Sequence, residues 1–326
     1  MTNSVPVAPL LSVPAKIKHD GQAHLCEWTY VGQKRFTEPF FDDTLSLCRA
    51  FPENGYGKKP QTPLAALPAM AAGVESLPLK GVIFHVSRCG STLLAQLLAL
   101  QEQHIVLAEV PFLDDALRLS FQDPAYSTAT SLELFAAAIR LYGRRRTENE
   151  TSLFIKADSW HLFFYEQYRA LYPDLPFILL YRNPADVLES HRKQRGIHAV
   201  PGLIEPAVFG FTRGEEKLTN LDLYLSQVLQ GYFEKMEVIA AQDPKALLLD
   251  YADGSRHLTE NMFRFFDLPY TQETAKQVEA RSAFHAKKPG EVFAEKKEEK
   301  PVPDYLQPVM DLYQQLRSKS SVRQQG

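Results

Sequence analysis

From residue 81 to residue 250 the chain alternates short, almost wholly apolar runs with longer stretches in which apolar residues recur every three or four positions. The apolar runs cover residues 81–86, a short run just ahead of Glu109, residues 153–156, 176–181 and 246–250. Runs of this length without a polar face suit strands buried on both sides. The intervening stretches predict helices beginning at Leu93 and covering residues 111–121, 132–146, 160–172 and 221–242, with a closing helix over 258–268. Alternation of this kind predicts an α/β fold, a parallel sheet flanked by helices on both faces. Residues 1–78 follow another pattern, with many prolines, an alternating stretch at 24–31 that reads as an edge strand, and Phe36 to Phe41 ahead of a short helix. They read as an N-terminal extension packed on a nucleotide-binding core of residues 79–285. Residues 286–326 form a charged C-terminal segment and helix.

Two strand-to-helix junctions carry candidate chemistry. In the first, the run 81–86 passes through Ser87, Arg88, Cys89, Gly90, Ser91 and Thr92 into a helix opening at Leu93. Gly90 permits close backbone approach, the first helical amides lack intrahelical partners, and the helix dipole is positive there, so an anion is favoured. Ser91 and Thr92 add hydroxyls, and Arg88 adds a planar fork that holds two oxygens of a phosphate or sulfate. The same residues also fit a small-residue turn capped by Ser91, with Arg88 in a surface salt bridge. In the second junction, Arg182-Asn183-Pro184 follows the run 176–181, with Pro184 in a first helical turn and Ser190 two turns along. Arg182 and Ser190 can converge on a second anion. An ordinary junction with a surface arginine is the other reading, and two basic junctions in one chain weigh against it.

Together these segments resemble the two cofactor signatures of the sulfotransferase superfamily, bacterial-type, and similar in motif spacing to the tyrosylprotein and carbohydrate enzymes. The resemblance spans roughly residues 80–268. It implies 3′-phosphoadenosine 5′-phosphosulfate (PAPS) as donor and 3′-phosphoadenosine 5′-phosphate (PAP) as product. Ser87, Arg88, Cys89, Gly90, Ser91, Thr92 and Leu93 would cradle the 5′-phosphosulfate, and Arg182 and Ser190 would hold the 3′-phosphate. Glu109 lies where those relatives place a catalytic glutamate, and a carboxylate there can take the proton of an attacking hydroxyl. A loop carboxylate paired with a nearby arginine is its alternative. Lys156 ends a strand-like run, and the resemblance gives it the charge on the transferring sulfuryl group. Asp158 and Ser159 read as a helix N-cap before Trp160. Family members often carry a basic flap over the nucleotide, a task that would fall to Lys287 or Lys288.

Composition sharpens the class. A chain of 326 residues with 45% hydrophobic and 23% charged residues can bury one large core or two modest ones. A net charge of −3 gives no general attraction for nucleic acid. Three cysteines widely spaced in sequence predict no disulfide framework and point to a reducing, cytoplasmic setting. No ligand spacing typical of a metal site occurs, and no run reaches membrane-span length. The first residues lack a basic stretch followed by an apolar one, so no leader is expected.

Arg144-Arg145-Arg146 reads as the cationic end of the helix over 132–146. His191-Arg192-Lys193-Gln194-Arg195 is either a solvated helix face or an extension of the 3′-phosphate site. Residues 195–220, with Phe209 and Phe211, read as a lid or acceptor-binding segment. His198 within it is a second possible base or a surface-loop histidine.

Two other classes share parts of this pattern. A P-loop kinase or NTPase would carry a lysine before Ser/Thr in the loop, and Cys89-Gly90-Ser91-Thr92 has none. A noncatalytic nucleotide-binding protein would keep the anion sites and dispense with Glu109 and Lys156. The acceptor, whether small molecule, carbohydrate, lipid or peptide, is set by variable loops and is not readable here.

Overall fold

The computed structural model describes residues 9–55, 57, 59–212, 220–282 and 301–323. The chain begins with β1 (Ser12–His19) and β2 (His24–Tyr30), followed by α1 (Phe41–Cys48), β3 (Gln61–Pro63) and α2 (Leu67–Ala72). Strands and helices then alternate through β4 (Leu79–His85), α3 (Ser91–Ala99), β5 (His104–Ala108), α4 (Pro111–Gln122), α5 (Thr128–Tyr142) and β6 (Ser152–Lys156). The series continues with α6 (Tyr165–Leu171), β7 (Phe177–Tyr181), α7 (Pro184–Lys193), α8 (Leu221–Gln242) and β8 (Ala246–Asp250). Three helices close it: α9 (Ser255–Phe265), α10 (Gln272–Ser282) and α11 (Gln307–Arg323).

The central five-stranded parallel sheet has the order β5-β6-β4-β7-β8, flanked by helices as the alternation predicts. Every residue of β6 and β7 is buried, which is why these strands read as unbroken apolar runs. The chain forms two compact units, Met1–Lys80 with Leu98–Lys156, and Gly81–Leu97 with Ala157–Gly326.

In the first unit, β1, β2 and β3 form an antiparallel sheet in which β2 is central. The alternating stretch at 24–31 thus has neighbours on both sides, where an edge strand was expected. Its second partner is three residues long and ends in Pro63, too short to register as a periodic segment. Tyr142 at the end of α5 is buried, donates its hydroxyl to the Pro14 carbonyl, and meets Phe41 edge-on at 5.3 Å.

The arginine triplet differs from its expected role. Helix α5 stops at Tyr142, beyond which the Gly143 carbonyl accepts the Leu77 amide at 2.8 Å and Arg144 forms a β-bridge with Ser76; a Cβ at Gly143 would lie 2.3 Å from Ser76 Oγ. Arg144, Arg145 and Arg146 therefore lie beyond the helix. Arg146 is buried, pairs with Glu150 at 2.7 Å and covers the Phe36 ring at 3.8 Å. It tethers the chain and does not complement a helix dipole.

In the second unit β7 lies between β4 and β8, with Val82 opposite Phe177 and Phe177 opposite Ala246. Helix α8 buries Tyr224, Leu225, Tyr232 and Phe233. The stretch expected as one helix over 160–172 is split into a 3₁₀ segment, Ser159–Phe164, and α6. Asp158 sits at the N-cap position of the 3₁₀ segment without a side-chain cap bond, and its carboxylate lies 3.7 Å from His161 Nε2. Helix α9 starts before the expected 258, because Gly254 at φ 85° turns the chain into it.

Cys26, Cys48 and Cys89 are all buried, free thiols, and burial raises the pKa of Cys26 and Cys48 above the usual thiol value. Among the described residues no helix is long and apolar enough to cross a membrane.

Candidate active site

The first junction is a turn that few residues adopt without help. After β4 the chain places Ser87 at φ 67°, Arg88 at φ 51° and Gly90 at φ 83°, all left-handed. For the two non-glycine residues this costs about 1–2 kcal/mol each. The turn is held from beneath by His85, the last residue of β4 and buried. The Ser87 amide donates to His85 Nδ1 at 3.0 Å, and His85 Nε2 lies 2.9 Å from the Ala157 carbonyl. An amide can only donate and a carbonyl can only accept, so Nδ1 carries the lone pair and Nε2 the proton. The ring is therefore the neutral Nε2–H tautomer, reading one backbone group on each side. Nothing in the residue pattern singled out His85, although a polar residue ending an apolar strand was the available signal.

The loop then enters α3 at Ser91. Gly90 supplies the first carbonyl of the helix, accepting from the Leu93 and Leu94 amides, and Ser91 and Thr92 are buried at its start. Leu93 is half-buried, and the Cys89 thiol donates to the Leu180 carbonyl on β7 at 3.6 Å. Left-handed residues ahead of a helix N-terminus turn successive amides toward one side, the arrangement that collects an anion. Arg88 Nη2 donates to the Gln194 carbonyl, so its guanidinium spans from the loop to the end of α7.

Arg182 joins the second junction to the first. Its Nη1 donates to the Arg88 carbonyl at 3.1 Å, its Nε faces Asp186 at 3.4 Å, and its guanidinium lies 4.6 Å from the centre of the Tyr251 ring. Asn183 caps α7 by accepting from the Ala185 amide, with Pro184 in the first turn as expected. Ser190 is half-buried on the same helix. The neighbouring cluster is largely matched by acidic residues: Arg192 contacts Glu189 and Asp222, and Arg195 contacts Asp222 and the Leu221 carbonyl. Partial burial works against ionisation of Asp222, but hydrogen bonds from Arg195 and Arg192 outweigh it and hold its carboxyl below the usual range. His191 is buried and accepts the Gly196 amide through Nδ1. His198 is buried too, 5.0 Å from the His191 ring and 6.0 Å from Trp160, so it is a packed residue and not a surface-loop histidine.

In the first unit, Glu109 and Lys156 form a pair. Parallel register sets Ala108 opposite Lys156, and the Glu109 amide extends that ladder by donating to the Lys156 carbonyl at 2.9 Å. Glu109 itself takes φ 51°, which turns the chain off β5 toward Val110 and the Pro111 start of α4. Lys156 Nζ donates to Glu109 Oε1 and lies 5.1 Å from the centre of the Phe40 ring. The lysine side chain is 0% exposed and that of Glu109 23%, so the cation is covered while the glutamate is partly exposed. The sequence named both residues without their contact. Lys287 and Lys288 lie outside the described residues.

Residues 80–310, more than half of the chain, match the sulfotransferase domain. The chain belongs to the sulfotransferase family. Sulfotransferase STF9 from Mycobacterium avium is 12% identical, over 77% of this chain and 79% of that one, with a TM-score of 0.48. Sulfotransferase STF1 from Mycobacterium tuberculosis H37Rv is 13% identical, over 65% and 73%, at 0.42. A sulfotransferase from Alicyclobacillus acidocaldarius is 14% identical, over 74% and 91%, at 0.35. No curated protein sequence matches. Family membership identifies this sulfotransferase as an enzyme that transfers sulfate, in place of the kinase and noncatalytic readings. The matched region contains both junctions, Glu109 and Lys156.

Proposed function

We propose that this sulfotransferase takes PAPS as donor, releases PAP, and sulfates a hydroxyl or amine with Glu109 as general base. The donor supplies a sulfuryl group already activated by its bond to phosphate. The observation that carries the reading is the loop itself, in which Ser87, Arg88 and Gly90 are left-handed directly before a helix N-terminus, with Arg182 hydrogen-bonded to its backbone. Such a loop fits an anion with several oxygens. Two arginines, one from each junction and joined through the Arg88 carbonyl, fit a ligand with two separate anionic groups.

In this reading the residues from Ser87 to Leu93 hold the 5′-phosphosulfate, and Arg182 with Ser190 holds the 3′-phosphate. Glu109 accepts the proton of the acceptor hydroxyl as its oxygen forms the new bond to sulfur and the sulfur–phosphate oxygen bond breaks. Lys156 orients the carboxylate through its hydrogen bond and places positive charge where the transferring group gains it. Arg88 offers its donors to oxygens that become more negative as that bond breaks. Positioned cations and amides are the main catalytic resource in the related phosphoryl transfer. Within the second unit both basic junctions leave the C-terminal ends of the paired parallel strands β4 and β7, where ligands of open α/β sheets bind. Three buried free thiols suit a reducing compartment, and the reading places the enzyme in the cytoplasm.

The acceptor class is tested by offering sulfur-labelled PAPS with phenols, sugars, lipids, tyrosine peptides and small alcohols. Label is expected to move to one class and to depend on the enzyme. Release of labelled sulfate alone, with every acceptor class blank, would count against the proposed transfer.

A further inference from the structure

The strand that leads into the first junction ends in a buried histidine. His85 closes β4 at 3% exposure, opposite Leu180 in the parallel register with β7. The two residues after it are anchored differently. The Val86 amide donates to the Leu180 carbonyl at 3.2 Å and so continues the ladder, whereas the Ser87 amide turns off the sheet and donates to His85 Nδ1 at 3.0 Å. The imidazole stands in for the strand partner that the departing chain has left behind.

The ring is held at its other edge as well. Its Nε2–H donates to the Ala157 carbonyl at 2.9 Å, and the Ala157 amide donates to the Ile83 carbonyl at 3.0 Å, so the acceptor is itself registered on β4. A neutral imidazole has one acceptor and one donor, and here both are committed to backbone. The histidine is a strut between two chain segments.

What the strut holds is a conformation that the chain does not favour by itself. Ser87 at φ 67° and Arg88 at φ 51° are left-handed, a region that non-glycine residues leave when nothing restrains them. The bond to His85 restrains the first of them directly. A loop released to relax presents its amides to an anion for only a fraction of the time, and apparent affinity falls by that fraction.

We propose that His85 is a positioning residue for donor binding, a neutral strut whose Nδ1 keeps Ser87 left-handed and the loop amides aimed at one anion. The proposal rests on the assignment of the loop to the 5′-phosphosulfate. It separates the two edges of one ring: the Nδ1 bond governs donor affinity, and the Nε2 bond to Ala157 contributes stability alone. A ligand with a 3′-phosphate and no 5′-anion is nearly indifferent to both.

The test is calorimetric titration of the full chain with PAP and with adenosine 3′-phosphate, on variants that keep one edge at a time. His85→Asn places a carbonyl oxygen where Nδ1 accepts from Ser87 and forgoes the bond to Ala157. His85→Gln carries its amide one carbon further, where it can donate to Ala157, and leaves Ser87 without its acceptor. The asparagine variant is expected to bind PAP within about two-fold of the parent, and the glutamine variant about three- to ten-fold more weakly, the worth of one hydrogen bond. Adenosine 3′-phosphate is expected to change by less than about two-fold in either. Nitrogen NMR of the labelled parent is expected to show Nδ1 of His85 unprotonated and Nε2 protonated, with and without PAP. That spectrum needs no variant, and it keeps the proposal open to contradiction should one of them fail to fold.

Equal PAP losses in the two variants would make His85 a packing residue and overturn the proposal. So would full affinity in the glutamine variant, equal losses for adenosine 3′-phosphate, or a proton on Nδ1. If the parent protein itself does not bind PAP, the donor assignment fails first and the proposal falls with it. Parent binding with an indifferent His85→Gln sinks the proposal alone.

Discussion

Glu109→Gln is expected to lower kcat for sulfuryl transfer by about 10²–10⁴-fold, the usual worth of a positioned base, with the KM for the donor little changed. Glutamine keeps the length of the side chain and an oxygen for the Lys156 ammonium, so the covered cation is not left unpartnered. What it removes is the ability to take a proton. The backbone is already committed, because Glu109 occupies φ 51° in a turn fixed by its amide bond to the Lys156 carbonyl, so the loss reports chemistry and not refolding. Steady-state kinetics with a confirmed acceptor give the answer, and thermal unfolding supplies the control. An undiminished kcat would remove Glu109 from the role of base.

Gly90→Ala is expected to weaken PAP by at least about ten-fold, equivalent to roughly 1.4 kcal/mol. Two costs combine. An alanine at φ 83° sits in left-handed space, at about 1–2 kcal/mol, and its Cβ would meet the Tyr251 ring at 2.7 Å. The ring that must yield is the half-buried one that lies 4.6 Å from the Arg182 guanidinium. Gly21→Ala is the control, since Gly21 is left-handed at φ 99° with nothing within 4 Å of its Cβ position. It shares the backbone penalty and is expected to leave PAP affinity intact. Gly21→Ala thus controls for a general loss of stability, and by calorimetry a PAP loss as large as that of Gly90→Ala would show that the effect is not local to the loop.

The parts of this enzyme legible in its sequence are those set by local pattern. Strands buried on both faces appear as continuous apolar runs, so β4, β6, β7 and β8 are found within two or three residues of their ends. The loop from Ser87 to Thr92 and the Arg182-Asn183-Pro184 junction are legible because their spacing belongs to single strand-to-helix turns. What escaped depends on residues remote in sequence. The chain after α5 pairs with residues 76 and 77, and Arg146 covers Phe36, more than a hundred residues earlier. The central place of β2 follows from a three-residue partner that carries no period of its own. In the site, the Lys156–Glu109 bond comes from the parallel register of β5 with β6. The contacts of Tyr251 with Gly90 and Arg182 span more than sixty residues of chain, and no local pattern encodes them.

The central claim is that the two basic junctions bind a nucleotide through a 3′-phosphate and a 5′-anion. It is tested most directly by titrating the protein with PAP in the presence of a chelator, beside a titration with magnesium-ATP. Saturable one-site binding of PAP without a divalent cation, lost in Arg182→Ala, is the expected result. Preference for magnesium-ATP, or PAP binding indifferent to Arg182, would contradict it.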